Sequence, residues 1–236
     1  MMGATQSYEL GFMTAPRLII RDLTISRGGY PLITGLNAQL EQGQVMLLRG
    51  PNGCGKTTLL RGLAGLIPQD HGDFAINGIS AASDHANMMR QLVLIGHRNA
   101  NAESLDAYHA LAMTAGLAGL APSADHIMMA LETFAMAGLA KRQISHLSAG
   151  QQRRLALARL ALFTAEPHRL WLMDEPFNAL DDDAASTLNH LLNHHLESGG
   201  AVVISGHGAM PITANQTLHL DQLKGQTQSG KKEDRS

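Results

Sequence analysis

The segment Gly50-Pro51-Asn52-Gly53-Cys54-Gly55-Lys56-Thr57 has the spacing G-x-x-x-x-G-K-[ST]. Glycines at these positions let a backbone wrap closely around phosphate oxygens. Successive N–H groups then point inward, and a helix starting near Lys56 adds its positive end. Lys56 reaches the terminal phosphates, Thr57 offers a hydroxyl to Mg²⁺, and Thr58 is grouped with the loop as a further phosphate contact. Gly is about a tenth of this chain, Lys about 2% and Ser plus Thr about 11%, so chance produces such a match roughly once in two hundred chains of this length. Cys54 stands within the loop, where backbone N–H rather than side chain is the expected contribution.

Further along, Leu170-Trp171-Leu172-Met173-Asp174-Glu175-Pro176 is an apolar run ending in two acids. Asp174, at the end of such a strand, suits a divalent cation beside Thr57. Glu175 suits the orientation or deprotonation of an attacking water. Together with the phosphate loop, this pair points to chemistry at a nucleotide's terminal phosphate.

These residues need strands that end at one place. Arg17–Ile25 is β-prone with partial alternation, and Val45–Leu48 is a short apolar run leading into the loop. Thr57–Leu66 reads as a helix stopped near Gly65 and Pro68. Gly72–Gly78, Leu92–Ile95, Leu170–Met173 and Ala201–Ser205 read as further strands. Asp183–Glu197 reads as a helix that Gly199 and Gly200 end. From about 98 to 146 the strand pattern gives way to two or three helices, and a long helix follows Ser148. Short strands alternating with helices predict a three-layer α/β core.

Leu147-Ser148-Ala149-Gly150-Gln151-Gln152-Arg153-Arg154 resembles the signature of ABC-transporter ATPases, with Ala149 in place of a glycine. Asn178-Ala179-Leu180-Asp181 resembles the same family's D-loop, with Asn178 where serine is common. His207 stands where the family has a switch histidine that touches the γ-phosphate and helps orient Glu175. His97 stands where the family usually has a glutamine that touches Mg²⁺ or the water. His97, the LSAGQQRR segment and a short chain after His207 are similar to the ATP-binding subunit of cytochrome c maturation (haem exporter) systems.

The resemblance covers about residues 17–221. It implies an α/β fold of ABC type: a RecA-like core, an antiparallel β subdomain, and an inserted helical subdomain around 98–162. It implies ATP and Mg²⁺ as cofactors, and Lys56, Glu175, His207 and His97 as catalytic residues. It also implies a head-to-tail dimer in which Ser148, Gly150 and Gln151 of one subunit cap the nucleotide of the other. The implied partner is the integral-membrane permease of the cytochrome c maturation system, at the cytoplasmic face of the bacterial inner membrane. The output would be haem export or release of a haem-loaded chaperone. A compact ATPase of another exporter stays open as an alternative. A soluble ABC switch in translation or DNA repair is disfavoured by a length of 236 residues, and a kinase leaves residues 147–154 unexplained. The adenine would stack on Arg27 or on Tyr30.

The charge balance, 18 basic against 20 acidic residues, offers no field for capturing nucleic acid or an anionic membrane. One cysteine excludes a disulfide framework. Residues 1–16 lack Lys and Arg and read as a loose extension; residues 224–236 read as a disordered polar tail. The uncharged stretch 107–124 is rich in Ala and Gly rather than in Leu, Ile and Val, so membrane contact is expected only through a partner. His190, His194 and His195 read as a solvated helix face, and Met88, Met89, Met128 and Met129 as packing residues rather than ligands.

Overall fold

The computed structural model describes residues 17–96, 104–208 and 210–223. The extension at 1–16 and the tail at 224–236 lie outside them. Two sheets organise the chain. Strands β1 (Leu18–Arg27), β2 (Tyr30–Leu40), β4 (His71–Ile76) and β5 (Ile79–Ser80) form an antiparallel sheet ordered β2-β1-β4-β5. Strands β3 (Val45–Arg49), β6 (Leu92–Ile95), β7 (Leu170–Asp174), β8 (Ala201–Ser205) and β9 (Gln216–His219) form a parallel sheet ordered β6-β7-β8-β3-β9. The helices are α1 (Lys56–Leu63), α2 (His85–Met89), α3 (Ala107–Leu117), α4 (Ala124–Thr133), α5 (Ala149–Ala161), α6 (Asp182–Glu197) and α7 (Leu220–Leu223).

The parallel strands are apolar on both faces because both faces are covered. Val45, Leu47, Trp171, Met173, Val202 and Ile204 belong to a core shared with α3 to α6. Met46, Leu48, Leu170, Leu172 and Val203 belong to a second core shared with α1 and the antiparallel sheet. This is the three-layer arrangement expected from the alternation of elements. Between β6 and β7 the described residues hold α3, α4 and α5, which pack on one another. Each starts on a side-chain cap, with Asp106, Ser123 and Ser148 accepting from the N–H of His109, His126 and Gln151.

Several elements depart from the sequence expectation. Strand β2 was not foreseen. Its buried residues Ile33, Leu36 and Leu40 are spaced three and four apart, which mimics a helix. The cause is a bulge: Leu23 and Ile25 of β1 pair with Leu36 and Ile33, two residues against three. Gly35 supplies the positive φ there. Strand β9 was missed for lack of an apolar run, and α1 stops at Leu63 rather than Leu66. His195 is buried instead of solvated; its ring stacks on Trp171 at 3.8 Å between centroids. Met88 packs as expected, whereas Met129 is largely exposed.

The β1–β2 connection is two glycines, Gly28 and Gly29, both at positive φ, pairing Arg27 with Tyr30. Such a turn matches the twist of a hairpin. Arg27 is thereby carried to the open end of the phosphate loop.

Candidate functional site

The loop after β3 is shaped by its glycines. Gly50, Gly53 and Gly55 have φ of 135°, 78° and 117°, which L side chains avoid. A Cβ at Gly50 would lie 2.7 Å from Cys54 Sγ. Gly55 is the N-cap of α1 and offers no side-chain cap, so no capping side chain competes for the first-turn N–H groups. Lys56 folds back over the loop; its Nζ donates to the carbonyls of Gly50 at 2.7 Å and Pro51 at 3.3 Å. The Cys54 N–H donates to Pro51 O at 3.2 Å, so it is engaged within the loop, and the thiol is buried.

Strand β8 lies between β3 and β7, and that order builds the acidic end of the site. Leu48 and Asp174 both pair with Ser205. Asp174 is 3% exposed, and its Oδ2 accepts from Thr57 Oγ1 at 2.7 Å. Its Oδ1 accepts from Ser205 Oγ at 2.7 Å, and the same Ser205 oxygen accepts the Glu175 N–H at 2.9 Å. Glu175 sits at φ 47°, a strained turn out of the strand. Its Oε1 meets His207 Nε2 at 3.1 Å and its Oε2 accepts from Asn178 Nδ2 at 2.6 Å. Thr57, Asp174, Ser205, Glu175 and His207 thus form one hydrogen-bonded line.

Arg153 supports this line from behind. It is 6% exposed, and its guanidinium donates to the carbonyls of Gly96 at 3.0 Å and Glu175 at 2.9 Å. Burial pulls its pKa down, and the charges of Asp174 and Glu175 oppose that shift. Sequence reasoning missed Arg153, Ser205 and the Asn178 contact. The one available signal was Ser205 as the polar last residue of an apolar strand.

A cleft of about 520 Å³ opens over the loop. Asn52, Gly53, Gly55, Lys56, Thr57 and Thr58 line its floor, and Glu175 lines it from the acidic end. Arg27, Leu32 and Arg61 line it as well; the last two were not anticipated. Arg27 lines the cleft, whereas Tyr30 is 76% exposed and absent from the lining.

The segment at 147–154 is built differently. Ser148 Oγ accepts the Gln151 N–H at 3.3 Å and Gln151 Oε1 accepts the Ser148 N–H at 2.9 Å, a reciprocal cap on α5. Ser148, Gly150, Gln151, Arg154 and Asp181 line a separate cleft of about 290 Å³. The two clefts share no lining residue, so Ser148, Gly150 and Gln151 are not brought to the phosphate loop of their own chain. Arg154 pairs with Asp181, which caps α6. His97 lies outside the described residues. His190 and His194 are exposed, and no group of three or more His, Cys, Asp or Glu side chains able to hold a metal ion occurs among the described residues.

The family model described as ABC transporter matches residues 33–178, from inside β2 through the acidic turn. The chain belongs to the ABC transporter family. Within it, the cytochrome c biogenesis ATP-binding export protein CcmA of Albidiferax ferrireducens is 39% identical over 201 residues, covering 85% of this chain and 94% of that one. The protein of the same name from Paramagnetospirillum magneticum is 40% identical over 207 residues, covering 86% and 93%. A solved structure of the ATP binding subunit of an ABC transporter superimposes with a TM-score of 0.74 at 24% identity, covering 80% of this chain and 79% of that one. At that identity the match establishes the ABC fold: the parallel sheet with its phosphate loop, the antiparallel sheet and the helices between β6 and β7. No helix among the described residues of this ABC chain is long and apolar enough to cross a membrane.

Proposed function

We propose that this chain binds Mg-ATP and hydrolyses it as the motor subunit of an export system serving c-type cytochrome biogenesis, where the work done is haem export or release of a haem-loaded chaperone. The observation that carries the reading is the line from Thr57 through Asp174, Ser205 and Glu175 to His207, beside a cleft floored by the phosphate loop.

In this reading the residues divide the work. The glycine-rich backbone and the end of α1 hold the phosphates, and Lys56 neutralises charge on the terminal pair. The Thr57 hydroxyl and the Asp174 carboxylate are hard oxygen donors 2.7 Å apart, which suits Mg²⁺. When bound, Mg²⁺ supplies positive charge to the phosphate oxygens. Glu175 accepts a proton from the water whose oxygen forms the new bond to the γ-phosphorus as the bond to the bridging oxygen breaks, leaving ADP and phosphate. His207 holds Glu175 Oε1 and faces the γ-phosphate. Arg27 stacks on adenine. His97 is assigned to the water or Mg²⁺ by resemblance alone.

Two chains act head to tail, with Ser148, Gly150 and Gln151 of each capping the nucleotide of the other. Support comes from the separation of the two clefts within one chain. Residues 17–223 work as one cassette, and the helical part at about 98–162 passes motion to a membrane permease on the cytoplasmic face of the inner membrane. A groove between edge strand β6 and α3, lined by Met89, Arg90, Leu94, Met113 and Leu117, supports a partner there; Leu117 is 80% exposed.

The test is phosphate release by the purified chain with Mg-ATP, alone and with co-purified membrane partners. Hydrolysis that is lost in Glu175→Gln, together with capture of a cytochrome c maturation permease, supports the reading. Hydrolysis that survives Glu175→Gln contradicts the assigned chemistry, and capture of another exporter's permease contradicts the assigned pathway.

A further inference from the structure

Glu175 opens a four-residue turn. The Asn178 N–H donates to the Glu175 carbonyl at 3.2 Å, and Pro176 holds the second position, where its fixed φ favours such a turn. The same reversal brings the Asn178 side chain against that of Glu175, with Nδ2 donating to Oε2 at 2.6 Å. The other carboxylate oxygen is the one that meets His207.

The backbone of Glu175 is already fixed on both sides. Ser205 accepts its N–H and Arg153 donates to its carbonyl. What remains free is the side chain's own torsions, and among the described contacts only Asn178 and His207 act on them. Asn178 is exposed and does not line the nucleotide cleft; its described contacts are with Glu175.

We infer that Asn178 is a positioning residue for hydrolysis: its amide pins Oε2 of Glu175 so that the carboxylate stays aimed at the site shared with His207. The inference rests on the proposed role of Glu175 as acceptor of the water proton. An amide suits this task because it donates without carrying charge. It fixes orientation, yet it neither cancels the negative charge nor competes for the proton. The other ionisable groups near Glu175 are His207, Asp174 and Arg153, with Lys56 across the cleft. None of them changes in the variants below.

The experiment measures kcat, KM for ATP and the urea unfolding midpoint of the full chain and of Asn178→Ala and Asn178→Asp, with Glu175→Gln as control. Losing one hydrogen bond to a charged group should lower kcat in Asn178→Ala about tenfold or more. KM should hold, because the cleft is untouched. The fall in kcat should be larger in Asn178→Asp, where a second carboxylate faces Oε2 and repels it. A fall in kcat matched by a rise in KM or by a lowered unfolding midpoint would mean a merely structural role and overturn the inference, as would wild-type behaviour in both variants. If Glu175→Gln itself turns over normally, the underlying assignment of the base fails. If Glu175→Gln is inactive while both Asn178 variants match wild type, only the role of Asn178 fails.

Discussion

The Thr57 hydroxyl donates to Asp174 Oδ2 at 2.7 Å across 117 residues of chain. One residue lies in the first turn of the helix after the phosphate loop, and the other ends a strand two places from β3 in the sheet. Ser205, on the strand between them, completes the joint by donating to the other Asp174 oxygen. The site is therefore a product of strand order as much as of motif.

Removing the ammonium tests the loop. Lys56 is the side chain that neutralises the terminal phosphates in the proposed chemistry. Two unit charges 4 Å apart interact by about 4 kcal/mol at an effective dielectric near 20. Lys56→Ala should therefore weaken ATP binding by about 100-fold or more, as read by titration with a fluorescent ATP analogue. Wild-type affinity would remove Lys56 from the site.

The base contact is tested at the hairpin. Arg27 lines the cleft and Tyr30 does not. A guanidinium stacked on a ring is worth about 1 kcal/mol, so Arg27→Ala should raise KM for ATP about fivefold. Tyr30→Ala should leave KM unchanged. Steady-state kinetics on the two variants decide the matter, and the reverse pattern would assign adenine to Tyr30.

Ser205 carries a buried hydrogen bond to Asp174 and a part-buried one from Glu175 at once. Ser205→Ala leaves Asp174 Oδ1 and the Glu175 N–H without that partner, at a cost of about 1–3 kcal/mol for the buried Asp174 oxygen and less for the part-buried N–H. Urea unfolding should show the loss, and kcat should fall with it. An unchanged midpoint would mean that solvent replaces the hydroxyl.

Acid should unfold the protein partly through His195. Burial holds its pKa down to about 4, and the nearby backbone of Ala201 and Arg169 offsets this only in part. The native ring stays neutral while the unfolded chain takes up a proton near pH 6.5. Stability is therefore lost as pH falls from about 6.5 toward 4, on the order of 3 kcal/mol for this group. His195→Leu should flatten that part of the stability–pH curve in urea titrations at fixed salt. A slope equal to that of the native chain would assign the acid sensitivity elsewhere.

Much of this was legible in the sequence, and the reason differs by residue. The phosphate loop is local: its glycines, Lys56 and Thr57 act within eight consecutive residues, so spacing alone reveals them. Val45–Leu48, Leu92–Ile95 and Leu170–Met173 read as strands because a strand covered on both faces needs an unbroken apolar run. Strand β2 hid because its bulge breaks the alternation at Gly35. Arg153 and Ser205 hid because their roles arise only when β6, β7 and β8 end side by side. His195 looked solvated because three nearby histidines read as one polar face, although it continues the helix face of Ala184, Leu188 and Leu192 that packs inward, toward Trp171. The placement of Ser148 away from its own phosphate loop is equally a property of the whole fold.

The sharing of each nucleotide between two chains is tested most directly by cross-linking. In a Cys54→Ala, Glu175→Gln background, Asn52→Cys and Ser148→Cys report the loop and the head of α5. Mixing two chains of different size, one carrying each cysteine, and adding Mg-ATP with a short bismaleimide should give a product joining the two chains. That product should vanish without nucleotide. A link formed only within a chain carrying both cysteines, or no ATP-dependent link between chains, would contradict the head-to-tail arrangement.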